Sequence, residues 1–260
     1  RLIPNATDAE TTQAQYVKSF DSNGITFGTD TDINASSATA ILWGWKAGGS
    51  ASSNSNGSIT SSVSASTTAG FSIVSYTGGG GGKTVGHSLG VAPKMFIIKA
   101  RDTGDYNWSV WHSSLSTPTT ARLALNTTAA QANNSSFWND AVPTSTLFSL
   151  GSDGTHNANG TTYIAYCFAE KKGFSKFGTY NATGATADAT FIYTGFKPSL
   201  VIIKKINASD NWQIFDNKRD TNNPVKNLLY PNLNDDERAL STGFLDLVSN
   251  GFKIRTTDAG

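Results

Sequence analysis

The chain has 260 residues, a formal net charge of +1, 15% charged residues and 11% aromatics. That length leaves room for two modest cores, and the aromatic mass excludes a disordered chain. The near-neutral balance, with no basic stripe, argues against a nucleic-acid or anionic-membrane partner. No run of 18 apolar residues occurs, so no helical membrane insertion is expected. The lone Cys167 excludes an internal disulfide framework. The chain opens on Arg1 without a signal-like segment, which suggests a fragment or processed product.

In chain order the dominant signal is repetition. GTDTDINASSATAILWGWK at 28–46 aligns without a gap on GSDGTHNANGTTYIAYCFA at 151–169, a constant offset of 123. GFSIVSYTG at 70–78 returns as GFSKFGTYN at 173–181. GVAPKMFIIKAR at 90–101 returns as GFKPSLVIIKKI at 195–206, with Pro93 and Pro198 105 positions apart. Asn107-Trp108 returns as Asn211-Trp212, and SNGITF at 22–27 matches SNGFKI at 249–254. A period near 100 residues implies duplicated domains rather than a solenoid. The expected organisation is a partial unit at 1–46, a Ser/Gly/Ala-rich linker at 47–69, a complete β-domain at 70–172, and a second copy at 173–260, truncated at its C-terminal end.

The elements read as strands. Met95–Ile98 and Leu200–Ile203 are short apolar runs, each followed by a polar turn and a Trp-containing strand, which is a hairpin signature. Ile164, Tyr166 and Phe168 share one strand face, as do Ile41, Trp43 and Trp45 at the matching positions. Both large-residue faces are expected to point to the core, with Cys167 as a buried small residue without chemistry. Helical periodicity is weak, with Asn234–Leu247 the best candidate. The fold class is therefore all-β, as tandem β-sandwich or jelly-roll-like domains with an out-of-phase duplicated unit. Residues 16–46 are also expected to complete the half-unit that begins at Gly173, within one chain or between subunits.

Chemistry-bearing motifs are sparse. Gly86-His87-Ser88-Leu89-Gly90 matches the nucleophile-elbow pattern, but a proline and a strand follow where a helix is required, so it reads as a turn. The glycine run 78–82 before Lys83 lacks the first glycine of a phosphate loop and reads as a hairpin tip. Asp30, Asp32 and Asn34 have calcium-like spacing, but Ala35 and Ile41 replace the glycine and bidentate glutamate an EF-hand needs. The histidines 87, 112 and 156 form no close set, and no cofactor is expected. Tyr106, Trp138 and Tyr230 recur least between the copies and are the candidates for stacking on glycan rings.

GFSIVSYTG, VGHSLGVAPKMFIIK, NWSVWH, LFSLGSD, YIAYCFAE and SNGFKIRTTD together resemble a domain of marine bacteriophage tail-fibre and appendage proteins. That domain often lies downstream of a concanavalin-like lectin domain. The resemblance covers residues 16–260 and implies a virion location and a β-rich fold, with no catalytic residue to carry over. In similar chains another YIAYCFAE-like strand follows SNGFKIRTTD, so the expectation is that this chain is truncated at Gly260. The reading is a non-enzymatic virion structural protein, a tail-fibre segment used in host attachment. Its expected partners are itself as a homo-oligomer (trimers being typical of such fibres), other virion proteins and a host-surface glycan. The alternatives are a capsid decoration or head-fibre protein, and a carbohydrate depolymerase. The depolymerase needs a placed pair of carboxylates that the sequence does not display.

Overall fold

The computed structural model describes residues 1–184 and 190–256, so residues 185–189 and 257–260 of the expected second copy lie outside the described residues. The described chain is almost entirely β-structure. A hairpin of β1 (Val17–Phe20) and β2 (Ile25–Phe27) precedes the single turn α1 (Thr31–Asn34). The central body follows with β3 (Ser52–Asn54), β4 (Ser61–Ser66), β5 (Phe71–Thr77), β6 (Lys83–Gly86), β7 (Met95–Ala100) and β8 (Ser109–His112). It continues with β9 (Ala121–Ala124), β10 (Ala132–Asn133), β11 (Leu147–Leu150), the turn α2 (Gly154–Asn157) and β12 (Thr162–Phe168). The C-terminal region carries β13 (Phe191–Tyr193), β14 (Leu200–Lys204), β15 (Trp212–Asp216) and β16 (Asn227–Leu228). Its last strands are β17 (Arg238–Ala239), β18 (Leu245–Val248) and β19 (Gly251–Ile254).

Eight strands of the central body form one antiparallel sheet in the order β10-β9-β8-β7-β12-β5-β4-β3. The last strand in sequence, β12, lies inside the sheet between β7 and β5, so the sheet closes only when its C-terminal strand inserts. β6 and β11 pair as a second layer, and the core lies between the layers. There Phe96 stacks on Trp111 at 5.2 Å and meets Trp138 edge-on at 5.1 Å. This is an all-β, two-layer packing.

Four expectations change. Residues 47–69 are not a linker: 52–54 and 61–66 are sheet strands, and Val63, 3% exposed, pairs with Val74 of β5. The alternation Ser-Val-Ser-Ala is a period-2 signal in which serine supplies the solvent face and small residues suffice for the core face. The core side of β12 is also the reverse of the expected one. Tyr163, Ala165 and Cys167 are fully buried, whereas Ile164, Tyr166 and Phe168 are half-buried on the outer face. Cys167 pairs with Phe96 across the sheet, and small residues on the central strand make room for the aromatics beside them.

Third, residues 41–45 form no strand, and Leu42 stands 60% exposed, because a strand needs a neighbour and among the described residues none pairs with them. Trp45 sits edge-on against Phe168 at 6.0 Å, so the face expected to complete the C-terminal half-unit rests on the central body instead. Fourth, Asn234–Leu247 is not helical. Gly243 turns with φ +80°, and Leu245 and Leu247 alternate inward on β18.

Candidate functional site

The β7–β8 and β14–β15 hairpins share one register. Phe96, Ile97 and Ile98 face Trp111, Val110 and Ser109, while Val201, Ile202 and Ile203 face Phe215, Ile214 and Gln213. Each hairpin presents a buried tryptophan to a neighbouring segment. The Trp108 Nε1–H donates to the carbonyls of Ile3 and Ala6, both at 3.1 Å, and the Trp212 Nε1–H donates to the Ala124 carbonyl at 2.9 Å. Ile3 and Ala124 occupy the same place in RLIPN (1–5) and RLALN (122–126).

The surrounding bonds repeat with the same spacing. Asn126 accepts the Trp108 backbone N–H at 2.9 Å and donates to Asn107 at 2.7 Å. Asn232 does the same for Trp212 and Asn211, at 2.9 and 2.7 Å. The Glu10 N–H donates to the Arg101 carbonyl at 2.6 Å, and the Gln131 N–H to the Ile206 carbonyl at 2.9 Å. These are two clamps of one design: a hairpin tryptophan seated on a segment that begins with Arg-Leu, which is irregular with a turn at residues 1–6 and forms β9 at 121–124.

Each clamp buries apolar surface as well. Trp212 and Ile206 pack with Val110, Leu115, Leu123 and Leu125 on the outer face of the large sheet. At the N-terminal clamp Leu2, Pro4, Glu10, Trp108 and Tyr166 line an open cleft of about 510 Å³. Arg101 holds Glu10 there in a bidentate pair at 2.7 and 3.0 Å, and its hydrogen bond keeps the Glu10 carboxyl below its ordinary range. Lys99 and Lys204 stand at matching places, and burial lowers the pKa of each. Lys99 donates to the Ala100 and Thr103 carbonyls, while Lys204 donates to those of Lys205 and Thr128.

The calcium candidates are engaged otherwise. Asp30 caps α1 by accepting the Asp32 N–H at 3.0 Å. Asp32 pairs with Arg1 at 2.7 Å, and the Asn34 amide donates to the Gly28 carbonyl at 2.7 Å. The same construction recurs at α2, where Asp153 accepts the Thr155 N–H at 2.8 Å and Asn157 donates to Gly151 at 2.6 Å. Arg122 pairs with Asp153 and lies over Phe137 at 4.1 Å, as Arg1 lies over Tyr16 at 4.3 Å. These residues form a helix-cap turn buttressed by an arginine. Among the described residues no three His, Cys, Asp or Glu gather as a metal site.

The glycan-stacking candidates are not brought together. Trp138 is 1% exposed inside the core, its Nε1–H donating to the Ala121 carbonyl at 2.7 Å, so it offers no surface for a ligand. Its flat ring is spent on Phe96 and on His156, which stacks at 4.5 Å. Tyr106 packs half-buried against the main core and Tyr230 against the C-terminal cluster, where Arg238 donates to its hydroxyl at 3.0 Å.

The elbow-like motif is a turn. Ser88 has φ 56° and accepts the Asn54 amide at 2.8 Å, while the His87 Nδ1 accepts the Leu89 N–H at 3.2 Å. His87 therefore cannot take a proton from Ser88 in this arrangement. The glycine run is tied to α2, with the Gly79 N–H on the Asn157 side chain at 3.0 Å and the Gly80 N–H on its carbonyl at 3.0 Å. Burial drives the imidazoles of His112 and His156 down to about 4, and it drives the Cys167 thiol up to about 12.

The sequence marks the two tryptophans as repeated positions of the two hairpins, but not what they pack against. The signal was present in the shared RLIPN and RLALN strings and in Asn126, which follows Trp108 by 18 positions.

Fold and clamps define an all-β protein organised around recurring hairpin-to-segment interfaces. The chain belongs to the family described as a domain of unknown function, DUF7483, whose model matches residues 1–260. No curated protein and no solved structure matches it.

Proposed function

We propose that this chain is a non-enzymatic structural protein of a virus particle, a segment of a phage tail fibre or similar appendage built from out-of-phase copies of one β-unit stacked head to tail. The observation that carries the reading is the tryptophan clamp, made twice with the same donor, the same acceptor position and the same asparagine lock. A heterologous contact that repeats with one polarity extends an array, which is the task of a fibre segment. The virion setting rests on the resemblance to phage appendage domains, and a surface low in charge and rich in Ser, Thr, Asn and Gly suits an exposed particle protein.

Immunogold labelling of the intact particles tests the assignment. Gold along or at the tip of an appendage is the expected result. Gold over the head would favour the capsid-decoration alternative, and unlabelled particles would overturn the virion assignment.

A further inference from the structure

We propose that the first clamp is matched by charge and the second by its absence, so that each hairpin accepts only its own segment, an inference that rests on the clamp reading above. The two clamps share the tryptophan, asparagine and backbone contacts already described, but they differ in the side chains that meet across them. Residue 10 of the first segment and residue 131 of the second dock through the same backbone bond, onto the carbonyls of Arg101 and Ile206. Beside the first bond Glu10 and Arg101 form a bidentate ion pair. Beside the second stand Gln131 and Ile206, and no charge is present.

The difference extends two residues back along each segment, where Asp8 corresponds to Ala129. The charge of Asp8 acts on the buried Lys99 together with Asp102 and Asp105 of the hairpin turn. Lys204 is acted on by Asp210 of its own hairpin, and from the second segment it receives the Thr128 carbonyl at 3.3 Å. The Gln131 amide is turned toward its own unit: it accepts the Ser116 N–H at 3.0 Å and donates to Asn133 at 3.1 Å. Ile206 packs instead with the apolar cluster of Val110, Leu115 and Leu123.

A segment in the wrong clamp is penalised on either side. Glu10 beside Ile206 sets a carboxylate against an apolar cluster without its guanidinium, and Gln131 beside Arg101 leaves that guanidinium without a carboxylate. Specificity is a difference between two affinities, and an unmatched charge widens it. The Lys99–Arg101 surface therefore fits a segment with acids at the places of Asp8 and Glu10, and the Lys204–Ile206 surface fits one that is neutral there. Among stacked copies of one unit, this fixes which unit follows which.

The test follows indole N–H exchange by NMR in the full chain. In one variant the two segments trade side chains: Asp8→Ala, Glu10→Gln, Ala129→Asp and Gln131→Glu. The Arg101 and Glu10 side chains are 35% and 31% exposed, so Trp108 and Trp212 should each exchange about fivefold faster, the scale of a partly solvated pair. Trp138, 1% exposed in the core, should stay protected and show that the fold is intact. Adding Arg101→Ile and Ile206→Arg trades the hairpin side chains as well and should restore both rates. Salt gives a second reading on the wild type alone. Raising the ionic strength to about 1 M should speed the Trp108 proton and leave the Trp212 proton unchanged, because only the first clamp holds a screened ion pair. Wild-type rates in the segment-exchanged chain, or an equal response of both protons to salt, overturn the proposal and leave the clamps standing. Fast exchange of both protons in the wild type overturns the clamps themselves.

Discussion

One hairpin occurs in two settings. In the central body the β7–β8 hairpin is flanked by β12 and capped by a second layer, and Phe96 and Ile98 are at most 1% exposed. In the C-terminal region the β14–β15 hairpin keeps the same cross-strand pairing, but Val201, in the place of Phe96, is 7% exposed and Ile203, in the place of Ile98, is only half-buried. The register is therefore a property of the hairpin's own residues, whereas depth of burial comes from the neighbour strand. Cohesion should divide accordingly.

The largest contrast should come from equivalent core phenylalanines. Phe148→Ala empties a site enclosed by Tyr76 and Phe96 and should cost about 3–5 kcal/mol. Phe252→Ala, in the smaller C-terminal cluster and 7% exposed, should fall at the low end of that range or below it. Chemical denaturation of the two variants ranks them, and equal losses would break the comparison.

Acid should act on the central body first. Burial lowers His156 from 6.5 to about 4, so the unfolded chain binds a proton there before the folded chain does. Stability is full above pH 6.5 and is lost as pH falls toward 4, by at most about 3 kcal/mol from this residue. His112, also lowered to about 4 by burial and by the charge of Lys94, adds a loss in the same window. His156→Gln should flatten the stability–pH slope without abolishing it, measured by melting temperature between pH 7 and about 4.

The asparagine locks should behave as twins. Asn126→Ala and Asn232→Ala each strand a buried tryptophan N–H and should each cost about 1–3 kcal/mol. A large loss in one and none in the other would separate the two clamps. The smallest effects belong to the helix caps. Asp30→Ala should cost about 1 kcal/mol or less on an exposed turn, and Asp153→Ala somewhat more, because Arg122 loses its partner beside Phe137.

The strands with large apolar residues were legible in the sequence. Met95–Ile98, Leu200–Ile203 and their tryptophan partners show both the apolar run and the turn that reverses it. The strands at 52–54 and 61–66 were not, because serine and alanine carry little hydrophobic signal and look like linker until a sheet edge gives them a partner. The face of β12 was misread for a related reason. Large residues were assumed to mark the core, but a central strand packed between aromatic neighbours needs Ala165 and Cys167 there. The clamps were half legible: Trp108 and Trp212 stood out, while the carbonyls of Ile3 and Ala124 that receive them are backbone atoms with no side-chain signature.

The central claim is that Trp108 and Trp212 are docked by the same contact, and exchange of their indole N–H protons with deuterium, followed by NMR, tests it most directly. Both protons should exchange far more slowly than that of Trp45, which is 45% exposed, and both should accelerate when the matching asparagine, Asn126 or Asn232, is replaced by alanine. A Trp212 proton that exchanges as fast as that of Trp45 while Trp108 remains protected would contradict the account.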